Sequence, residues 1–138
     1  MPAAVILVVD DDANIRRAVR YCLEAAGYVV YEASNGLEAM QRLERDAPDL
    51  MLLDLSMPAT DGMNLLAAIR SRWDQYPTRV VVVSAHGTMK TAVQAMQLGA
   101  SDFLEKPFTP EDLRLSIAAV LQERDAERER ERSDDRAK

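Results

Sequence analysis

The sequence is poor in the residues that most often announce chemistry. It has one cysteine, Cys22. No disulfide can form within the chain, and a thiol set in an apolar and basic helical pattern reads as core or half-buried filler. The one histidine, His86, has no partner cysteines or further histidines. It makes a poor zinc ligand and lacks a serine-protease-like setting, so it reads as a flexible residue at the edge of a site. Aromatics are only 5% of the chain, which leaves a core of Val, Leu, Ile, Ala and Met. No apolar run approaches the roughly 18 residues of a membrane span. The N-terminus has no charged leader region or cleavage site, because it turns acidic after the apolar run Ala4 to Val9, and a cytoplasmic protein is expected. Positive charge is scarce too. A formal net charge of -6 argues against a nucleic-acid surface and favours cationic partners, metal ions included.

What is present is a patterned chain of 138 residues, 48% hydrophobic, enough for one domain with a real core. Ala4 to Val9 is a continuous branched apolar run, the pattern of a central parallel strand. It stops at three carboxylates, Asp10, Asp11 and Asp12. A first helix follows, with Ile15, Ala18, Val19, Cys22, Leu23 and Ala26 at helical spacing, Asp12 as its N-cap and Gly27 as its left-handed terminator. Tyr28 to Ala33 reads as a second strand. Asn35 and Glu38 resemble a capping box for a second helix whose apolar face is Leu37, Met40 and Leu43. After Pro48 comes the stretch Asp49 to Gly62, in which the apolar run Leu50 to Leu53 ends on Asp54 and a turn with Pro58 and Asp61-Gly62 opens a third helix. That helix turns Met63, Leu66, Ala67 and Ile69 inward.

Beyond Pro77, Arg79 to Val83 is a fourth strand, ending on Ser84-Ala85-His86-Gly87. Thr88 caps a fourth helix with Ala92, Val93 and Met96 on its apolar face and Gly99 as terminator. Asp102 to Glu105 is a fifth strand and runs into Lys106-Pro107. Thr109, Pro110 and the acidic pair Glu111-Asp112 make a strong start for a fifth helix carrying Leu113, Ile117, Val120 and Leu121. Strict alternation of strands and helices predicts an α/β fold, a doubly wound parallel sheet with helices on both faces. No internal repeat is visible. Residues 1–121 form the domain. Residues 122–138 lack any large apolar side chain and read as a charged helical extension or linker, solvated and partly disordered.

In a parallel sheet the C-terminal ends of the strands lie on one edge. With strand order 2-1-3-4-5 the switch point falls between the first and third strands, where Asp10, Asp11 and Asp54 would share one crevice. Three carboxylates need a counter-charge. The chain offers Lys106 and the option of a bound hard cation. Mg²⁺ suits a site of two or three carboxylates that also holds a phosphate. A serine hydroxyl and an ammonium are natural donors to phosphoryl oxygens, and Asp54 could act as a nucleophile forming an acyl phosphate. Taken singly the pieces are bland. Asp54 would be a loop aspartate after a strand, Asp12 a helix cap, Ser84 a turn residue and Lys106 a solvated lysine. Taken jointly, an acidic pair, a lone Asp, a hydroxyl and a lysine at successive strand ends point to phosphoryl chemistry. Two other classes stay open on residues alone. One is an unphosphorylated docking module. The other is an enzyme, flavin-binding or an aspartate-nucleophile phosphatase, although three carboxylates after the first strand would repel a cofactor phosphate and Ser56 stands where such a phosphatase wants a second Asp.

The segments Ile6–Asp12, Leu52–Gly62, Val81–Gly87 and Gly99–Phe108 resemble the receiver domain of two-component response regulators, over about Val5 to Leu121. The stretch Ser84–Phe108 also resembles receivers of the nitrogen-regulation, enhancer-binding type. The resemblance implies the flavodoxin-like strand order used above. It implies Asp54 as phosphoacceptor from a sensor histidine kinase or phosphotransfer protein. Asp11, Asp54 and the Ser56 backbone carbonyl would hold Mg²⁺ directly, with Asp10 acting through water. Ser84 would be the switch hydroxyl, Lys106 the partner of the acyl phosphate and Phe103 the switch aromatic. Lys106-Pro107 would be cis. Ser56 and His86 occupy positions thought to tune phosphoryl lifetime. A homodimer through the fourth helix, fifth strand and fifth helix is compatible with the family. The domain would be a phosphoacceptor that promotes its own phosphorylation and dephosphorylation rather than an enzyme, with no contact to nucleic acid or membrane.

Overall fold

A computed structural model describes residues 3–57, 62–72 and 77–137, with side chains through residue 135. In chain order the elements are β1 (Val5–Val9), α1 (Ala13–Ala25), β2 (Val29–Ala33), α2 (Gly36–Asp46), β3 (Leu50–Asp54), α3 (Gly62–Arg70), β4 (Arg79–Ser84), α4 (Met89–Gln97), β5 (Asp102–Glu105) and α5 (Pro110–Ala137). The strands form one sheet in the order β2-β1-β3-β4-β5, with every pair parallel. This is the flavodoxin-like α/β arrangement the sequence implies. The turn residues Pro58 and Asp61 lie outside the described residues. Among those described, no helix is long and apolar enough to cross a membrane.

Side chains alternate across a strand, and the sheet uses both sets. Leu7, Val9, Met51, Leu53, Val80 and Val82 pack with Ala39 and Leu43 of α2, Leu65, Leu66 and Ile69 of α3 and Ala95 of α4. Ile6, Val8, Leu50, Leu52, Val81 and Val83 pack with Val19 and Leu23 of α1 and Leu113, Ile117, Val120 and Leu121 of α5. Burying each such Leu, Ile or Val contributes about 1.5–3 kcal/mol. The continuous apolar runs of the central strands therefore follow from having helices on both sides.

Local signals set most element ends. Asp12 Oδ1 accepts the Asn14 and Ile15 N–H groups at the start of α1. Thr88 accepts the Thr91 N–H, and Thr109 and Asp112 cap α5 reciprocally. Gly27 and Gly99 both have positive φ, at 97° and 103°, as helix terminators require. Several details differ from the sequence pattern: Ala18 and Ala26, read as part of the first helix's apolar face, are exposed. Leu37, Val93 and Met96 are 71%, 48% and 45% exposed, because Ala39 and Ala95 face the sheet instead, alongside the expected Leu43. Glu38 reaches back to the Ser34 N–H, one residue before the Asn35 cap. Arg124 is only 8% exposed although its chain neighbours Glu123 and Asp125 are charged and exposed.

Arg124 marks how α5 is held at the edge of the sheet opposite the strand C-termini. Its Nη1 donates to Asp49 Oδ1 at 2.8 Å, while Asp49 Oδ2 accepts the Val5 N–H at 2.7 Å. One turn on, Glu127 accepts from Arg79 at 2.6 Å. A half-buried pair of this kind is costly to break from one side, because the remaining charge stays desolvated. Arg124→Ala is expected to lower stability by about 1–2 kcal/mol, discounted for the partial exposure of Asp49. Arg130→Ala, in an exposed pair with Glu123, should cause no measurable loss. Urea denaturation of both variants checks this, and equal curves would refute the anchoring role of Arg124.

α2 ends on Ala47, a non-glycine residue in the left-handed region at φ 43°. The Cβ makes that conformation unfavourable. Ala47→Gly is expected to be neutral or to stabilise by up to about 1 kcal/mol. A loss of stability in the same denaturation assay would show that the methyl group packs usefully.

Candidate phosphoryl site

The site grows out of the register of three strands. Val9 of β1 lies opposite Leu53 of β3, so Asp10 and Asp54, one residue further on, end side by side. Asp54 in turn pairs with Val83, which brings Ser84 to the same edge. Asp10, Asp54 and Ser84 are each 4% exposed. Asp11, next along the turn into α1, faces solvent.

Each buried carboxylate is satisfied on both oxygens. Asp10 Oδ1 accepts the Asp12 N–H at 2.9 Å and Asp54 Oδ1 accepts the Ser56 N–H at 2.8 Å. The other oxygens share one ammonium: Lys106 Nζ stands 3.0 Å from Asp10 Oδ2 and 3.2 Å from Asp54 Oδ2. Burial alone would push the Lys106 pKa down. The Asp10 hydrogen bond and the charges of Asp54 and Asp10 outweigh it, and the net shift is upward from 10.5. Lys106 is thus firmly cationic at neutral pH. Its main-chain N–H also donates to the Ser84 carbonyl at 2.9 Å.

One oxygen from each of Asp10, Asp11 and Asp54 lies within 4.8 Å of the others. These are hard oxygen donors, gathered as a small divalent cation requires. Charge agrees with geometry: three carboxylates against one ammonium leave two negative charges. The donor set therefore fits a metal site.

Around this centre, the Ser84 hydroxyl accepts the His86 N–H at 3.3 Å and lies 3.5 Å from the Ser56 hydroxyl. His86 is exposed. Asp12 is engaged in capping α1. Phe103 sits apart from the polar cluster, half-buried, with its ring over Gly87. A Cβ added at Gly87 would come within 2.5 Å of the ring, so glycine is what lets the ring lie there. The Lys106-Pro107 bond is cis. Sequence reasoning passed over one neighbour: Arg16 of α1 donates to the Asp10 carbonyl at 2.7 Å and pairs with Glu32 of β2. The available signal was Arg16 and Arg20 at i,i+4 spacing opposite a lone carboxylate on an edge strand.

The family described as the response regulator receiver domain matches residues 6–118. Over 121 residues the chain is 46% identical to the alginate biosynthesis transcriptional regulatory protein AlgB of Pseudomonas aeruginosa, covering 86% of this chain and 26% of AlgB. The structure of NtrX from Brucella abortus aligns with a TM-score of 0.85 at 38% identity, covering 92% of this chain and 29% of NtrX. The signal receiver domain of a putative Luxo repressor protein from Vibrio parahaemolyticus gives a TM-score of 0.84 at 32% identity, covering 91% of this chain and 95% of that one. The likeness to enhancer-binding regulators of the nitrogen-regulation type holds for AlgB and NtrX, and the chain spans about a quarter of the length of AlgB. The chain belongs to the response regulator receiver domains of two-component systems, phosphoacceptors rather than classical enzymes, and the acidic cluster of Asp10, Asp11 and Asp54 is its phosphoacceptor site.

Proposed function

We propose that Asp54 is the acceptor within this cluster and that the donor is the phosphohistidine of a sensor kinase or phosphotransfer protein. The observation that carries this reading is the shared ammonium of Lys106, which holds Asp54 Oδ2 at 3.2 Å beside the buried hydroxyl of Ser84. In the transfer, a carboxylate oxygen of Asp54 forms a bond to phosphorus as the donor's N–P bond breaks. The electron pair leaves with the imidazole nitrogen, which takes up a proton. Lys106 and Ser84 then donate to the phosphoryl oxygens. Loss of the group is attack by water on the same phosphorus, releasing inorganic phosphate and restoring the carboxylate. The domain thus promotes its own phosphorylation and dephosphorylation by positioning and charge, in a cytoplasmic setting. Ser56 and His86 flank the site and would tune how long the phosphoryl group lasts.

Mg²⁺ is the cation that fits. Asp11, Asp54 and the Ser56 backbone carbonyl would hold it directly, with Asp10 acting through water. Bound there, it would neutralise charge on the phosphoryl oxygens. New charge at Asp54 would draw Ser84 inward and let Phe103 repack. With Phe at that position, the response is one of packing rather than of a hydroxyl bond. The output face is then α4, β5 and α5, where Met89, Val93, Met96 and Leu115 are exposed. It is suited to a partner or a second copy of the chain, without contact to nucleic acid by this domain. Residues 122–138 would serve as a charged extension or linker.

Asp54→Asn is expected to abolish labelling by a small acyl phosphate in Mg²⁺. One phosphate still found on that variant by mass spectrometry would move the acceptor elsewhere. Asp11→Ala should weaken Mg²⁺ binding at least tenfold, since even residues that only orient ligands cost roughly 10–100-fold. Unchanged affinity in a calorimetric titration would remove Asp11 from the ligand set.

A further inference from the structure

We propose that Arg16, braced by Glu32, is a positioning residue that aims the acidic pair at the cation. The inference rests on the metal site of the preceding section. The Asp10 carbonyl lies one residue past the last registered pairs of β1, Val9 with Ala33 and Val9 with Leu53. It has no strand partner in that register. Arg16 Nη1 supplies the bond, at 2.7 Å. The Asp10 N–H donates to Ala33 at 3.1 Å, so the main chain of Asp10 is held on both sides.

The consequence falls on Asp11. A peptide unit is planar, so the Asp10 carbonyl and the Asp11 N–H move as one body. Fixing that carbonyl fixes the plane from which the Asp11 side chain departs. Asp11 is the exposed member of the triad and lacks the burial that holds Asp10 and Asp54. Arg16 is itself immobilised: its Nε pairs with Glu32 Oε1 at 3.1 Å while Glu32 Oε2 takes Arg20 Nη1 at 3.0 Å. Two nitrogens of one planar guanidinium serve two partners, which a lysine cannot reproduce.

Arg20 supplies a matched control. Arg16→Ala and Arg20→Ala each remove one positive charge and one contact to Glu32, but only Arg16 touches Asp10. In Mg²⁺ titrations of the full chain, Arg16→Ala is expected to raise Kd about tenfold and Arg20→Ala by less than about twofold. Arg16→Lys should fall between, and it carries the comparison if Arg16→Ala does not fold. Without metal, amide exchange at Asp11 and Asp12 should quicken in Arg16→Ala and not in Arg20→Ala. Equal weakening by the two alanine variants would assign the effect to charge and overturn the proposal, as would unchanged affinity and exchange in Arg16→Ala. A wild type that binds no Mg²⁺ would bring down the metal site instead, and exchange at Asp11 and Asp12 would still decide the positioning role.

Discussion

The repulsion among three carboxylates at the end of a hydrophobic sheet is the constraint on which the rest of the structure depends. Asp10 and Asp54 are nearly fully buried, and isolated buried carboxylates would shed their charge by taking up protons. Here each accepts a backbone N–H and shares the ammonium of Lys106. Lys106 is the residue that follows β5. The parallel topology supplies it by ending β5 at the same edge. One ammonium still leaves two charges of the triad uncompensated, and this incomplete neutralisation is what makes the edge receptive to a cation and to the phosphoryl group of a phosphoacceptor site.

The opposite edge is arranged differently. There the charges are matched locally: Asp49 against Arg124 and the Val5 N–H, Glu127 against Arg79. Arg70 of α3 donates to the Thr78 carbonyl, and the Thr78 hydroxyl donates to Pro48 at 2.7 Å. Polar groups at this end fasten helices and loops to the sheet. Those at the other end are held in tension with one another. Ion pairs with both partners in place hold the elements together. A triad short of counter-charge gives up stability in exchange for reactivity.

Much of this was legible because the signals are local or periodic. The apolar runs of β1, β3 and β4 and the caps Asp12, Thr88 and Thr109 are contiguous features, and strand ends of a parallel sheet share an edge by geometry. Asp10, Asp11, Asp54, Ser84 and Lys106 therefore group together from the sequence, given the strand order that the family resemblance implies. What escaped depends on which of several apolar residues a helix turns inward. Leu37, Val93 and Met96 lost that contest to smaller neighbours such as Ala39 and Ala95, which allow the helices close approach. Arg124 escaped because composition gave its stretch no buried face. Its partner Asp49 lies 75 residues away, and the period of the chain carries no trace of it. The same holds for Arg16, whose partner at Asp10 is a main-chain carbonyl that any residue could have offered.

The distribution of rigidity across the sheet completes the picture. β3, which carries Asp54, is buried at every residue. β5, which leads into Lys106, has four residues and none of them is buried. Local stability follows the density of buried contacts, so a change of charge at Asp54 meets an unyielding strand on one side and a compliant one on the other. Lys106 is tied by its main chain to Ser84 and by its side chain to Asp10 and Asp54, which makes it the point where the two regimes join. Phe103, on the same short strand, rests against Gly87 in the loop that follows Ser84. Any rearrangement that takes Lys106 or Ser84 toward a new charge therefore has a low-cost outlet through β5 and the β4–α4 loop, where no residue of Asp102–Glu105 or of 85–88 is buried.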